Sequence, residues 1–185
     1  PSEYMAAVLN HAGSIDKITF FMEECKRMGL KVLGPDINES LKGFAVNKAG
    51  EVRFGLGGLK GVGEAAVESI IAERQKGGPY PNIFDFIKRI NQRAVNKKTL
   101  ESLAYAGGFD SFTEHHRAQY FTIPEGETAT GLERVIKYGQ IISNQNASTA
   151  NTLFGDLPVT MEIPPPRIPD CSPWPLIVQL DYEKE

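Results

Sequence analysis

The residue pattern with the most chemical content runs from Leu56 to Ile71 and reads LGGLKGVGEAAVESII. Gly61 and Gly63 lack a Cβ, so each can adopt positive φ and admit the backbone of another molecule, while Val62 between them points into the protein. Glu64 then begins a helical apolar pattern. The first amides of that helix lie at the positive end of its dipole, where a phosphate oxygen can accept hydrogen bonds. The pattern predicts a helix-hairpin-helix whose turn holds a DNA or RNA phosphate.

A Gly-Val-Gly triplet can also be a plain tight turn between two core segments, and this alternative stays open. The apolar spacing on both sides of the turn favours the phosphate-binding interpretation. Glu64 argues against it because its carboxylate would repel a phosphate, so we expect Lys60 to offset that charge. Gly57 and Gly58 weaken the preceding helix, which we predict to be a single turn.

A second candidate contact surface lies between Phe86 and Leu100, a stretch without acids that contains Lys88, Arg89, Arg93, Lys97 and Lys98. Residues 1 to 120 carry 16 Lys or Arg against 14 acids, whereas residues 121 to 185 carry 4 against 9, so the first part is the better candidate for binding nucleic acid. A solvated helix face would look similar. We predict that the residues contacting DNA are Lys60, Gly61, Val62, Gly63, Lys97 and Lys98.

Length and composition limit the class of protein. The chain has 185 residues, of which 41% are apolar, and this is enough for one ordinary domain or two small ones. No apolar run approaches the roughly 18 residues of a membrane span and no signal peptide is present, so we expect no membrane partner and a soluble, cytoplasmic protein. Cys25 and Cys171 form no CxxC pair, which argues against a disulfide framework or a zinc site. We expect no cofactor in this segment. The non-Met start at Pro1 indicates a segment of a longer chain.

An enzymatic alternative is a base-excision glycosylase, because such enzymes combine a helix-hairpin-helix with a downstream catalytic Asp, the place that Asp85 would take. Asp85 is better explained as an acid in the first turn of a helix capped by Asn82. His115 and His116 are expected to be solvent-exposed, and no carboxylate or Cys spacing makes them a metal site. We therefore assign neither a catalytic residue nor a metal ligand.

The elements that position these residues are mainly helical. Ser2, Ser14, Asn82 and Asn96 are each expected to cap a helix. Phe44 to Val46 and Val52 to Phe54 predict a β-hairpin, and Leu30 to Leu33 predicts an extended piece. Helical spacing resumes from Leu132 to Ile142 across Gly139, which we expect to bend or interrupt that helix.

The C-terminal part differs in composition from the rest. Beyond Asn144 the sequence is polar and has no periodicity, and seven of the twelve prolines lie between Pro158 and Pro175. This composition predicts an extended or disordered tail, with Trp174 as a surface anchor. The predicted fold class is therefore mainly α with a small β-hairpin, a helix-hairpin-helix DNA-binding region and a flexible Pro-rich C-terminal tail.

Five blocks of the sequence carry a resemblance to a known family: PSEYMAAVLN, EECKRMGLKVLGPDIN, FAVNKAGEVRFGLGGLKGVGEAAVESIIAER, VNKKTLESLAYAGGFD and NTLFGD. In these blocks the chain resembles part of the alpha subunit of bacterial DNA polymerase III, the C-family replicative polymerase. We accordingly expect residues 1–32 to be the end of a fingers domain, 33–112 the helix-hairpin-helix region, 113–150 a helical segment, and 151–185 a linker with a clamp motif and many prolines. The metal-binding aspartates of the family's palm match nothing here, so the resemblance implies no nucleotidyltransferase activity for this segment alone.

The resemblance also implies partners: duplex template-primer DNA, the remaining domains of the alpha subunit, and the sliding clamp. Leu153 and Phe154 match the apolar anchors of the family's clamp-binding motif, while Ala150 stands where the motif has Gln. The alternative for Leu153 and Phe154 is that they pack back on the domain. The alternative for the whole segment is a protein-interaction module that docks other polymerase domains without contacting DNA.

Overall fold

The computed structural model describes residues 1–151 and 163–184. In these ranges the chain forms eight α-helices and three short strands, which confirms a mainly α fold with a small β element. The helices are α1 (Ser2–Asn10), α2 (Ile15–Arg27), α3 (Glu64–Gly77), α4 (Ile83–Arg89), α5 (Lys97–Tyr105), α6 (Arg117–Phe121), α7 (Gly131–Asn151) and α8 (Leu176–Lys184). The strands are β1 (Val32–Leu33), β2 (Ala45–Val46) and β3 (Val52–Arg53), and a 3₁₀ turn at Leu56–Gly58 precedes α3.

The three strands form one sheet in the order β1-β3-β2. β2 and β3 are antiparallel, so the predicted hairpin is confirmed, and the Asn47 side chain closes its loop by accepting from the Glu51 amide at 2.9 Å. β1 pairs in parallel with β3, and Val32 lies opposite Val52. The piece predicted only as extended therefore joins the hairpin as a third strand.

α1 and α2 pack against this sheet around the buried residues Met5, Ala6, Leu9, Cys25 and Val52. The cap of α2 is confirmed, since the Ser14 hydroxyl accepts from the Lys17 amide at 3.4 Å. The cap predicted at Ser2 is wrong. Pro1 occupies the cap position of α1, and the Ser2 hydroxyl instead donates to the Gly50 carbonyl at 2.7 Å, which ties α1 to the hairpin loop.

A larger core joins the helices from α3 to α7. Asn82 and Asn96 cap α4 and α5 as predicted, with their side chains accepting from the amides three residues ahead at 2.8 and 3.0 Å. Tyr80 lies fully inside this core, and its hydroxyl donates to the Ile70 carbonyl at 2.8 Å. Burial raises the pKa of Tyr80 to about 12.

α7 runs without a break through Gly139, so the predicted interruption is wrong. A Cβ at this position would lie 2.7 Å from Ile87 Cγ1 and 3.0 Å from the Ile87 carbonyl oxygen. The glycine therefore serves close packing of α7 on α4. The polar run after Asn144 also stays helical as far as Asn151, where the sequence had predicted the start of an aperiodic tail.

Residues 163–175 have no regular secondary structure, as predicted, but the described part of the tail is packed on the domain. Ile168 is only 3% exposed, and the Pro169 carbonyl accepts from Gln119 at 3.0 Å. Trp174 stacks on Phe121 at a ring separation of 5.5 Å, so its predicted role as a surface anchor is wrong. The tail then ends in α8, a helix that the sequence did not predict.

Arg89 links α4 to the end of α3. Its guanidinium donates to the Asp85 carboxylate at 2.9 Å, to the Glu73 carboxylate at 3.2 Å and to the Gly78 carbonyl at 2.8 Å. It also lies 4.5 Å above the centre of the Tyr80 ring. Because these contacts use the planar fork of donors, Arg89 is committed to internal contacts and is not a phosphate-facing member of the basic stretch.

Replacing Arg89 by Lys should lower the free energy of unfolding by about 2 kcal/mol, because an ammonium group cannot satisfy both carboxylates and the carbonyl together. Urea denaturation followed by circular dichroism measures this loss. Lys88→Ala is the matched control, since Lys88 is exposed on the same helix and should change stability by less than about 0.5 kcal/mol. Equal stabilities of the two variants would contradict the structural role of Arg89.

Candidate nucleic-acid interface

The turn before α3 has a defined geometry. The Val62 amide donates to the Leu59 carbonyl at 3.2 Å, which closes a four-residue turn. Gly61 has φ +86°, and none of the described non-glycine residues, Lys60 included, has positive φ. This combination defines a type II turn with Gly61 in the position that requires glycine. Gly63 has φ −75° and caps α3, so only one of the two glycines uses the positive φ that the sequence allowed to both.

Val62 anchors the turn. Its side chain is 8% exposed and belongs to the larger core, while Gly61 and Gly63 on either side are exposed. A Cβ at Gly63 would meet nothing within 4 Å, so this glycine presents open space beside the start of α3. The turn therefore faces outward and is open at Gly63.

The backbone amides around the turn decide whether it can hold an anion. The Val62 amide is already bonded to Leu59. The hydrogen bonds found among the described residues give no acceptor to four neighbouring amides, and all four of these residues are exposed: Gly61, Gly63, Glu64 and Ala65. Free amides at the first turn of a helix are the groups that bind phosphate oxygens at helix N-termini.

The negative charge of Glu64 is not balanced by Lys60, although the sequence had led us to expect this. Its carboxylate pairs with Lys42, which lies 22 residues earlier in the chain. The hydrogen bond from Lys42 holds the pKa of Glu64 below its usual value, and the same contact raises the pKa of Lys42. Lys60 is exposed and makes no ion pair within the part of the chain that the structure describes. Lys42 rather than Lys60 therefore offsets the charge of Glu64, which leaves the Lys60 side chain available to contact a ligand.

The two lysines at the start of α5 differ in their surroundings. Lys97 Nζ lies 2.6 Å from the Glu133 carboxylate and 3.7 Å from that of Glu101, and Glu133 raises the pKa of Lys97. Lys98 is exposed, and its Cε lies 3.7 Å from the place that a Cβ on Gly61 would occupy. The fold thus brings Lys98 beside the turn, whereas Lys97 reaches toward acids.

α5 also supplies two residues that the sequence analysis missed. The Thr99 hydroxyl donates to the Gly61 carbonyl at 3.2 Å, and Ser102 Oγ lies 2.6 Å from the position of a Cβ on Gly61. No local signal marks a contact between residues 38 positions apart.

The remaining polar candidates are accounted for by packing. Both His115 and His116 are half-buried, so their predicted exposure is wrong: burial lowers the pKa of His115, and His116 lies 3.0 Å from the Cys171 carbonyl oxygen. Asp85 is bonded to Arg89 rather than facing a cleft. Within residues 1–151 and 163–184 no group of three or more His, Cys, Asp or Glu is placed to hold a metal ion.

Two further predictions concern the sliding clamp and the membrane. Leu153 and Phe154, predicted to bind the clamp, lie outside the residues that the structure describes. Among the helices that are described, none combines the length and the apolar character that crossing a bilayer requires.

The fold and the turn define a class, the helix-hairpin-helix proteins, and a family model described as a helix-hairpin-helix motif matches residues 29–120. Over its whole length the chain is similar to DNA polymerase III subunit alpha of Escherichia coli strain K12, with 36% identity over 186 residues. The same subunit of Xylella fastidiosa strain Temecula1 is 33% identical over 186 residues, and that of Vibrio cholerae serotype O1 is 35% identical over 190. The chain therefore belongs to the DNA polymerase III alpha subunit family, and it spans 15% of the length of these relatives.

Gly61→Ala should lower the free energy of unfolding by about 1–2 kcal/mol, because a side chain at φ +86° is strained and the new methyl group would press on Ser102 Oγ. Gly34→Ala is the matched control: its Cβ would meet nothing within 4 Å and its φ is not positive. Thermal melts of the two variants measure the difference. If the Gly61→Ala and Gly34→Ala variants have the same melting temperature, the turn is not held in this conformation.

Proposed function

We propose that this chain is a non-catalytic segment of a replicative DNA polymerase that grips duplex template-primer DNA through the turn at Gly61–Gly63. One observation carries the proposal: four exposed backbone amides without acceptors lie at or just before the start of α3, in a region that matches a helix-hairpin-helix family. The sequence similarity to alpha subunits of DNA polymerase III supports DNA as the ligand.

Binding in this mode is independent of base sequence. Amides and the α3 dipole would contact phosphate oxygens, which are the same at every base pair. Lys60 lies in the turn and Lys98 lies beside it, and both would add positive charge, while Lys42 pairs with the Glu64 carboxylate. Because one turn reaches few phosphates, the proposed affinity is weak and falls as salt rises.

The proposed role is to position DNA rather than to react with it. The segment would act with the remaining domains of the alpha subunit, which would supply the chemistry, in the cytoplasm of the cell. We propose Leu153 and Phe154 as an additional tether to the sliding clamp. That part of the proposal is supported only by the sequence motif, in which an aliphatic-aromatic pair would enter a hydrophobic pocket.

A protein-interaction module that docks other polymerase domains is the second candidate. It is favoured by large apolar side chains that stand exposed on α1 and α2, namely Tyr4 at 70%, Ile15 at 82% and Phe20 at 61%. Large apolar side chains with this much exposed surface are candidates for contact with another protein. These side chains belong to the two N-terminal helices, and none of them is part of the glycine turn, so both roles can coexist.

Gly63→Asp should abolish DNA binding while leaving the fold intact. Aspartate is a good cap for α3 and finds open space at this position, but its carboxylate would take up the free amides and repel phosphate. We expect a loss of affinity of at least about ten-fold for a fluorescent duplex at low salt. Fluorescence anisotropy at two salt concentrations measures it.

Gly34→Asp controls for the same change in net charge at another exposed glycine with open surroundings. It should keep most of the affinity and the melting temperature of the unmodified chain. Equal binding by the two variants, or binding by the unmodified chain that salt does not weaken, would contradict the phosphate-holding turn and favour the interaction module.

Lys98→Ala should reduce the slope of log affinity against log salt by about one, as expected for one lost phosphate contact. Lys97→Ala should change the slope less, because Lys97 already pairs with Glu133. Lys48→Ala is the matched control, since Lys48 lies exposed in the hairpin loop near α1. Salt titrations of the three variants against the same duplex provide the comparison. Unchanged slopes in all three would remove Lys98 from the interface.

A further inference from the structure

The Gly61 carbonyl has an unusual partner for an exposed turn. It accepts a hydrogen bond at 3.2 Å from the hydroxyl of Thr99, a residue that is only 2% exposed. The position of Thr99 is itself fixed, because its amide donates to the Asn96 cap at 3.0 Å. A buried side chain of α5 therefore reaches the backbone of the turn.

With this bond, one peptide group of the turn is held by hydrogen bonds at both its carbonyl and its N–H. The unit between Gly61 and Val62 has its carbonyl bonded to Thr99 and its N–H bonded to the Leu59 carbonyl. Neither end of this peptide can rotate without losing a hydrogen bond. The free amides of Gly61 and Gly63 belong to the two neighbouring peptide groups, so fixing this unit restricts the directions in which they can point.

α5 makes further contacts on the same side of the turn. Ser102 Oγ lies 2.6 Å, and Lys98 Cε 3.7 Å, from the position that a Cβ on Gly61 would occupy. Residues 98 and 102 are one helical turn apart, and residue 99 lies between them, so one face of α5 supports the turn. Glycine at position 61 is thus required both by φ and by the closeness of this face.

We propose that Thr99 is a positioning residue for the phosphate-holding turn: its buried hydroxyl fixes the direction of the Gly61 and Gly63 amides toward a DNA phosphate. The inference rests on the proposed function, and within that function it gives α5 the role of orienting the amides of the turn. The α4–α5 unit has no Gly-x-Gly turn of its own, and it acts by shaping the turn of the preceding unit.

A positioning role differs from a merely structural one in what it changes. Preorganised amides bind an anion without first losing rotational freedom, so loosening the peptide lowers affinity even in a folded chain. The cations that contact phosphates are left in place, so the salt dependence should stay the same. A purely structural role would lower stability and leave affinity unchanged below the melting temperature.

The experiment compares Thr99→Val with Thr99→Ser in the full 185-residue chain. Valine fills the same volume without a hydroxyl, and serine keeps the hydroxyl without the methyl group. Binding to a fluorescent duplex of mixed sequence is measured by anisotropy at two salt concentrations, at a temperature where circular dichroism shows each variant folded. We expect Thr99→Val to bind about five-fold more weakly with an unchanged salt slope, and Thr99→Ser to bind within about two-fold of the unmodified chain.

A second measurement covers the case in which valine also lowers stability. The amide resonances of Gly61 and Gly63, followed by NMR at saturating phosphate and without it, should shift less in Thr99→Val than in Thr99→Ser. Affinity of Thr99→Val equal to that of the unmodified chain would overturn the inference and leave the proposed function standing. Equal weakening by valine and serine would also overturn it, because the hydroxyl would then not be the cause. Absence of salt-dependent binding by the unmodified chain would overturn the proposed function and the inference with it.

Discussion

The burial of Val62 between two exposed glycines is the constraint on which the candidate interface depends. Because the side chain is held in the core shared by the helices from α3 to α7, the backbone on both sides must come to the surface. The type II turn at Gly61 and the cap at Gly63 then leave the first amides of α3 without internal acceptors. An apolar contact in the interior thus sets which polar groups are available outside.

The positive charge available at the turn depends on which basic residues are already paired with acids, and not on how many basic residues the chain has. The chain has a net charge of −3, and several of its basic residues near the turn are already committed to acids, as Lys42 is to Glu64 and Lys97 to Glu133. Arg89 is directed inward by two carboxylates and a carbonyl. What remains for a nucleic acid is a small set of backbone donors with one or two free lysines. Such a site would suit the sequence-independent binding proposed above.

Features of the fold that depend on neighbours in sequence were predictable, and features that depend on distant partners were not. The caps at Ser14, Asn82 and Asn96 and the loop closed by Asn47 join residues three or four positions apart, so their patterns are visible in the sequence. The Lys42–Glu64 pair and the Thr99–Gly61 hydrogen bond join distant segments, and nothing local indicates them. The polar end of α7 was missed for another reason: residues 143–147 are all exposed, so this part of the helix has no apolar stripe to detect.

Trp174 is the only tryptophan of the chain, and it sits in a stack of aromatic rings 5.5 Å from Phe121 and 4.7 Å from Tyr182. Its indole therefore joins α6, the proline-containing segment and α8 in one cluster. The emission spectrum of an indole depends on its contact with water, so this residue gives the molecule a built-in optical reporter of whether the C-terminal segment is seated.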